Sequence, residues 1–239
     1  MKHAIILAGG RGVRLRPYTV ALPKPLMPIG EYPILEIIIR QLVRYGYSHI
    51  TMAVNHQADI IKAYFQDGGK WGVRIDYSLE NKPLSTMGPL KLIRNLPENF
   101  LVMNGDVLSD VNYADFFDEH VNGGRTFSIL AHNRHDQVDY GVLRTDASGI
   151  LTDFQEKPVN TYLVSMGIYA ANREILNSIP EDTPFGFDNL MKAFIASGTF
   201  VNVVRYDGYW MDIGRPDDYI QASEEFEKMR DVFNIGDSV

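Results

Sequence analysis

The chain of 239 residues contains no cysteine, which excludes disulfides, thiolate nucleophiles and cysteine-ligated zinc or iron–sulfur centres. It also lacks any uncharged apolar run near the roughly 18 residues that a membrane span requires. The apolar stretch from His3 to Leu7 is too short for the core of a signal peptide. We therefore expect a cytoplasmic protein with no membrane partner. Internal repeats, low-complexity tracts and flexible linkers are absent too, so we expect a single domain over residues 1–239.

Carboxylates are absent from residues 1–30, although the whole chain has 30 acidic against 23 basic residues and a net charge of −7. The basic residues of this segment are Lys2, Arg11, Arg14, Arg16 and Lys24. A cationic segment in an acidic protein indicates a compact site for an anion. A nucleic-acid-binding protein would instead spread positive charge over a face or a whole basic domain, so we expect no nucleic-acid partner.

Strand-like and helix-like segments alternate through the first half, which is typical of a mainly parallel sheet covered by helices. The predicted strands here are His3 to Leu7, Ile50 to Val54, Val73 to Tyr77 and Phe100 to Met103. The predicted helices are Ile34 to Tyr45, Ala58 to Phe65 and Gly88 to Arg94. From residue 126 the pattern predicts added antiparallel or mixed strands, at Phe127 to Ala131, Gly141 to Arg144, Ile150 to Glu156 and Leu163 to Ala170. Two further helices are predicted, at Phe187 to Ala196 and Pro216 to Met229.

A glycine-rich loop follows the first predicted strand directly. Its residues are Leu7, Ala8, Gly9, Gly10, Arg11, Gly12, Val13, Arg14, Leu15, Arg16 and Pro17. Glycine lets the backbone approach a ligand closely, so the loop's N–H groups can point at a phosphate while its arginines supply charge. A turn that only reverses the chain is the alternative.

Two common phosphate-binding motifs do not fit this loop. A Walker loop ends in Gly-Lys-Ser/Thr, which is absent here. A dinucleotide fingerprint needs a third glycine where Leu15 stands and an acidic residue after the second strand, which ends instead at Asn55. Another class of nucleotide site is therefore indicated.

The run from Gly9 to Pro17, followed by Leu22 to Pro28, resembles the two-part signature of the sugar-1-phosphate nucleotidyltransferases, or NDP-sugar pyrophosphorylases. The resemblance extends from Ala4 to about Tyr219. These enzymes join an NTP and a sugar 1-phosphate to give an NDP-sugar and pyrophosphate, with Mg²⁺ as cofactor. The resemblance implies an α/β fold with a Rossmann-like, mainly parallel sheet and an added antiparallel sugar-binding lobe. Residues 1–125 would form the nucleotide-binding half and residues 126–239 the sugar-phosphate-binding half, with self-association into a homo-oligomer left open.

The resemblance implies catalytic roles for Arg14 and Lys24, which would act together on the triphosphate. Lys24 stands between Pro23 and Pro25, which restrict the local backbone and limit where the ammonium group can move. The same pattern is typical of an exposed loop lysine. A nucleophilic residue or general base is not needed for this reaction, since the sugar phosphate is already ionised near neutral pH.

Two carboxylates far apart in the sequence are candidate Mg²⁺ ligands. Asp106 follows an apolar strand that ends at Asn104, where open α/β sheets place ligands. Asp212 lies in the apolar, glycine-bounded run Trp210-Met211-Asp212-Ile213-Gly214. Mg²⁺ usually takes one or two protein carboxylates. Sequence alone does not show that the two acids meet, but the resemblance implies it.

The segment from Glu80 to Leu90 resembles the part of the family that reads the nucleobase. Ser85 and Met87 replace the glycine and alanine of the commoner Leu-Gly-Thr-Ala-Gly form. A loop followed by a helix N-terminus is the alternative. The implied nucleotide-binding residues are Leu7, Ala8, Gly9, Gly10, Glu80 and Gly88. GTP is the first expectation from similarity to the short guanylyltransferases for mannose or heptose 1-phosphate, and UTP, CTP and dTTP stay open.

The resemblance implies a sugar-phosphate site in the second half. Glu156 would accept hydrogen bonds from sugar hydroxyls, Lys157 would hold the phosphate and Gly141 would let the backbone approach the ring, with Asn104 also on this side. A Glu-Lys pair before a proline is also typical of a surface turn.

Three other interpretations are weaker. A non-catalytic relative that only senses NDP-sugar would be expected to lack one of the charged residues retained here. A glycosyltransferase would show Asp-x-Asp after a strand, whereas the next acid after Asp106 is Asp110. A metal site at His132 and His135 lacks further ligands at suitable spacing.

Overall fold

A computed structural model describes residues 1–233 of the chain, so residues 234–239 of the predicted second half lie outside the described part. The strands are β1 (Lys2–Leu7), β2 (Pro28–Ile29), β3 (Tyr32–Pro33), β4 (Tyr47–Val54), β5 (Arg74–Leu79), β6 (Asn99–Asn104), β7 (Val107–Ser109), β8 (Phe127–Gln137), β9 (Val142–Thr145), β10 (Leu151–Gln155), β11 (Val159–Asn172), β12 (Val201–Arg205) and β13 (Trp210–Asp212). The α-helices are α1 (Ile34–Arg44), α2 (Ala58–Phe65), α3 (Tyr113–Asn122), α4 (Phe187–Ser197) and α5 (Pro216–Phe233).

A seven-stranded sheet with the order β12-β8-β11-β6-β1-β4-β5 forms the centre of the fold. Strand β1 pairs in parallel with both β4 and β6, and β4 pairs in parallel with β5. Residues Ala4, Ile5 and Ile6 of β1 are fully buried, as expected for a strand that is covered on both faces. This confirms the prediction of a mainly parallel α/β sheet. We call the side at which β1, β4, β5 and β6 end the carboxyl edge.

The second half extends the same sheet. Strand β11 pairs antiparallel with β6 and with β8, and β12 pairs in parallel with β8. Strand β8 therefore runs in the same direction as β6 and also ends at the carboxyl edge. The paired ends of β8 and β11 and the β9–β10 hairpin, residues 132–164, form a projection that we call the arm. The predicted combination of parallel and antiparallel strands is thus present.

Most of the α-helices coincide with segments in which apolar residues recur at helical spacing. In α1 the fully buried side chains include Ile34, Ile38 and Leu42, and burial of each aliphatic side chain contributes about 1.5–3 kcal/mol. The predicted helix from Gly88 to Arg94 is instead a short 3₁₀ helix, Gly88–Leu92. No helix within residues 1–233 is both long and apolar enough to cross a membrane.

Helix α3, strand β12 and the short strands β2, β3, β7 and β13 were not predicted from the sequence. Helix α3 begins after Asn112, whose side chain accepts hydrogen bonds from the backbone N–H groups of Ala114 and Asp115 at 3.0 and 3.2 Å. Asparagine is a favoured residue at this position, because its side chain satisfies N–H groups that lack helical partners. This N-cap was a signal that the sequence offered.

Gly30 and Gly46 provide a matched test of close packing. Both have positive φ, at 57° and 80°. A Cβ on Gly30 would lie 2.4 Å from the buried ring of Phe226, whereas a Cβ on Gly46 would meet nothing within 4 Å. We expect Gly46→Ala to cost about 1 kcal/mol of unfolding free energy, from backbone strain alone. Gly30→Ala should cost about 2–4 kcal/mol, because overpacking adds to the strain. Equal losses in urea unfolding would contradict the close contact.

Candidate active site

The pairing of β13 with β7 brings Asp212 to the neighbourhood of Asp106. The two strands are antiparallel, with Asp212 opposite Val107, and the Ile213 N–H donates to the Asp106 carbonyl oxygen at 3.0 Å. Desolvation raises the pKa of Asp212, and the negative charge of Asp106 raises it further. Lys24 and Arg14 act in the opposite direction on the same carboxyl group. Two carboxylates and two cations that are remote in the sequence therefore influence one another here.

Lys24 makes a direct ion pair with Asp106, between its Nζ and the Asp106 Oδ2. The lysine is only 8% exposed, in a short 3₁₀ turn that starts after Pro23. The other carboxylate oxygen of Asp106, Oδ1, is buried and has no hydrogen-bond partner within residues 1–233. A buried oxygen without a partner is costly, so this atom is suited to an additional ligand.

Arg14 reaches the loop that follows Asp212. A Cβ on Gly214 would lie 3.2 Å from Arg14 Nη2 and 3.5 Å from its Cζ. Leu15, beside it in the chain, is fully buried and anchors the loop, while Arg14 and Arg16 are exposed. The structure therefore brings Arg14 and Lys24 to the two candidate metal ligands.

An open cleft of about 580 Å³ lies at the carboxyl edge beside these residues. Its lining comprises Leu7, Gly9, Gly10, Arg11, Asn55, Glu80, Pro83, Ser85, Thr86, Pro89, Asn104 and Asp106. The predicted site residues in that lining come from the ends of β1, β5 and β6. A Cβ on Gly9 would lie 2.8 Å from Glu80 Oε1, which explains why the loop needs glycine at this position.

Glu80 lines this cleft and is buried. Its Oε2 accepts a hydrogen bond from the Leu84 N–H at 3.1 Å, and the Asn55 side chain is also hydrogen bonded to it. Burial raises the pKa of Glu80, while these two hydrogen bonds lower it. The sequence analysis missed Asn55 as a site residue. The signal was its position, since it follows β4 as Asp106 follows β6, and parallel strands end at one edge.

Two of the predicted nucleotide-binding residues are not part of the lining. The Ala8 N–H donates to the Ala53 carbonyl oxygen at 2.8 Å and so belongs to the sheet. The Gly88 N–H donates to the Phe185 carbonyl oxygen at 2.9 Å. A Cβ on Gly88 would lie 2.9 Å from Leu84 Cβ, so this glycine packs behind the cleft wall.

The predicted sugar-phosphate residues of the second half lie on the arm. Gly141, Glu156 and Lys157 are all exposed. A Cβ on Gly141 would lie 3.2 Å from Glu156 Oε2 and 2.6 Å from the Phe154 ring, so Gly141 and Glu156 are neighbours. Within residues 1–233, no hydrogen bond or ion pair connects this group with the two candidate metal ligands. Asn104, in contrast, lines the cleft.

The two histidines on β8 have separate partners. His132 Nδ1 lies 2.8 Å from the Tyr206 carbonyl oxygen, and His135 Nδ1 lies 2.9 Å from Thr161 Oγ1. Residues three apart on a strand point to opposite faces. The described residues contain no group of three or more His, Cys, Asp or Glu side chains that could hold a metal ion.

Comparison with known proteins gives consistent matches. The family model described as "Nucleotidyl transferase" matches residues 3–229. The chain is 34% identical to a "UTP--glucose-1-phosphate uridylyltransferase" of Synechocystis sp., over 92% of this chain and 62% of the relative. It is 33% identical to a "Mannose-1-phosphate guanylyltransferase catalytic subunit beta" of Drosophila pseudoobscura pseudoobscura, over 91% of this chain and 60% of the relative. The chain thus spans about 60% of the length of these curated relatives.

Solved structures share the fold. HddC from Yersinia pseudotuberculosis, in a crystal structure "complexed with GMP-PN", is 27% identical, with a TM-score of 0.70 over 95% of this chain and 100% of that chain. A putative glucose-1-phosphate thymidylyltransferase from Bacillus anthracis is 21% identical, with a TM-score of 0.74 over 100% of this chain and 98% of that chain. The second likeness concerns the fold alone.

We expect the repulsion between Asp106 and Asp212 to lower the free energy of unfolding. With a chelator present at neutral pH, Asp212→Asn should raise the unfolding free energy by a few tenths to about 1 kcal/mol, since the cleft is open to solvent. Asp207→Asn, at an exposed acid three residues before β13, is the control and should leave stability unchanged. A loss of stability in Asp212→Asn would mean that this carboxylate holds the fold together.

Proposed function

We propose, since this chain belongs to the nucleotidyl transferase family, that it transfers a nucleotidyl group from an NTP to a sugar 1-phosphate. An oxygen of the sugar phosphate attacks the α-phosphorus of the NTP. The bond from that phosphorus to the bridging oxygen breaks, and pyrophosphate leaves with the electron pair. The observation that carries this proposal is the convergence of Arg14, Lys24, Asp106 and Asp212 beside the cleft.

The two aspartates fit Mg²⁺. The ion prefers oxygen ligands and often binds through one or two carboxylates, and the buried Oδ1 of Asp106 has no partner within residues 1–233. Asp106 and Asp212 would hold it. Bound Mg²⁺ would neutralise charge on the triphosphate and favour departure of pyrophosphate.

The cationic residues bind and orient the triphosphate. Lys24 is nearly buried and starts from a fixed backbone, so it presents its ammonium group at little cost in side-chain entropy. The guanidinium of Arg14 offers several N–H donors and matches phosphate oxygens bidentately. Gly9 and Gly10 line the cleft without side chains, which lets the backbone approach the phosphates.

Loss of a metal ligand tests this chemistry. We expect Asp106→Asn to lower kcat/KM for pyrophosphate release by about 100-fold or more, because preorganised charge stabilisation is the main contribution in such sites. The wild-type chain is first assayed with Mg²⁺, with each of the four NTPs GTP, UTP, CTP and dTTP, and with a panel of mannose, heptose and glucose 1-phosphates. Near-normal turnover of Asp106→Asn would contradict its role. If the wild type releases no pyrophosphate with any pair yet binds an NDP-sugar, the chain is a sensor and not a transferase.

We infer from the position of Glu80 in the cleft that GTP is the preferred NTP. Guanine presents two neighbouring donors, N1–H and N2–H₂, which match the two oxygens of a carboxylate. Uracil and thymine present one N–H between two carbonyl oxygens, which a carboxylate would repel. The relative named as a guanylyltransferase and the GMP-PN complex of HddC support this preference, whereas the uridylyltransferase relative is the competing precedent.

Glu80→Gln should change the nucleobase preference. Glutamine has one acceptor and one donor, so we expect kcat/KM for GTP to fall by about 10- to 100-fold while kcat/KM for UTP or dTTP falls less or rises. Because burial raises the pKa of Glu80, the KM for GTP should increase more steeply with falling pH in the wild type than in the variant, since the phosphates of GTP titrate in both cases. Equal losses for all four NTPs would contradict base reading by Glu80.

A further inference from the structure

Arg134 is a cation at the carboxyl edge that the proposed function does not use. It lies on β8, which runs parallel to β6 because β11 pairs antiparallel with both strands. The part of β8 that contains Arg134 is paired with the start of β11, where Arg134 lies opposite Tyr162. Arg134 therefore stands at the base of the arm, at the same edge of the sheet as the nucleotide cleft.

The strand that contains Arg134 contacts the strand that contains Asp212. The His132 ring is 5.5 Å from the Trp210 ring, so β8 and β13 approach each other at these two residues. A step of two residues keeps a side chain on the same face of a strand. Arg134 therefore lies on the same face of β8 as His132, which contacts Trp210 two residues before Asp212. In agreement, the charges of Asp218 and Asp212 both raise the pKa of Arg134, although its hydrogen bond with Asp136 is the main cause.

The guanidinium of Arg134 has free donors. Its Nε donates to Asp136 Oδ1 at 2.9 Å, and this is its one hydrogen-bond partner within residues 1–233. Within residues 1–233, no hydrogen bond or ion pair joins Arg134 to Asp212 or Asp218. Asp218 is already engaged, since its Oδ2 accepts from the N–H groups of Gly214 and Arg215. The terminal nitrogens of Arg134 are therefore available to hydrogen bond with an anion.

The order of strands indicates which anion this is. Glu80 follows β5, the glycine-rich loop follows β1 and Asp106 follows β6, so the base and the triphosphate occupy the stretch of the edge from β5 to β6. Strand β8 lies two strands beyond β6, on the side away from β5. With a spacing of about 4.8 Å between strands, that is roughly 10 Å beyond the triphosphate region. The second substrate has to enter from this side, because the first fills the other.

We propose that Arg134 binds the phosphate group of the sugar 1-phosphate and positions its attacking oxygen, an inference that rests on the proposed function. Arginine suits this role because its planar donor pair matches phosphate oxygens. Asp136 holds the guanidinium at Nε and leaves the terminal nitrogens without a hydrogen-bond partner within residues 1–233. Lys157, which the family resemblance assigns to this phosphate, lies exposed on the arm. Arg134 is exposed as well, but its strand contacts β13, which contains Asp212.

The experiment compares Arg134→Gln with Arg144→Gln. Arg144 is a matched control, since it is an exposed arginine on the arm whose Nε lies 3.7 Å from a carboxylate oxygen of Asp153. The substrates are the NTP and the sugar 1-phosphate that the wild type turns over fastest in the panel. We expect Arg134→Gln to raise the KM for the sugar 1-phosphate by about 10-fold or more and to change the KM for the NTP by less than about 2-fold. Arg134→Lys should recover part of the loss.

Binding is measured as well as turnover. Calorimetric titration of the same sugar 1-phosphate into each variant, with Mg²⁺ and a non-hydrolysable NTP analogue present, should show weaker binding in Arg134→Gln alone. Equal behaviour of the two variants, with an active wild type, overturns the role of Arg134 and leaves the proposed function standing. A wild type that is inactive with every substrate pair overturns both. Urea unfolding midpoints that match the wild type support a binding defect, and a lowered midpoint for Arg134→Gln with both KM values raised overturns it.

Discussion

The antiparallel pairing of β13 with β7 is the constraint on which the candidate site depends. It sets Asp212 opposite Val107 and joins Ile213 to the Asp106 carbonyl group, so two acids far apart in the chain become neighbours beside the cleft. Strand β13 has three residues, and its pairing is held by packing of the partly buried Trp210 and Met211 against the main core. A short strand has few hydrogen bonds, and these alone do not fix its position well. The apolar residues beside Asp212 therefore matter as much for the position of this carboxylate as the carboxylate matters for the site.

The balance of charge around Asp106 and Asp212 explains why cationic residues surround them. Two carboxylates repel each other, as the raised pKa of Asp212 indicates, and the nearly buried Lys24 offsets this by pairing with Asp106. The arrangement leaves one buried oxygen without a partner and a guanidinium group close by at Arg14. Without a ligand, the repulsion and the unpartnered oxygen make this site destabilising for the folded chain. A divalent cation bound to a polyanion supplies both the positive and the negative charge that the site lacks, so binding of this complex is favourable.

Several elements that depend on short-range patterns were predicted correctly from the sequence. Strand β1, helix α2 and the glycine-rich loop were predicted because apolar periodicity and glycine act locally, and Gly9 indeed lies against Glu80. What depends on distant contacts was not predictable from one chain. The meeting of Asp106 and Asp212 came only from the family resemblance, and Arg134 becomes noticeable only once the strand order is known. The backbone hydrogen bonds that Ala8 and Gly88 donate to Ala53 and Phe185 also depend on the folded chain. The N-cap of α3 at Asn112 was readable and was overlooked.

The most direct test of the central claim is a crystal structure of the chain with Mg²⁺ and a non-hydrolysable GTP analogue. We predict one metal ion bound by both Asp106 and Asp212, with the phosphates in contact with Arg14 and Lys24 and the guanine edge at Glu80. A metal ion that binds elsewhere, or phosphates that lie away from the arginine and the lysine, would contradict the account.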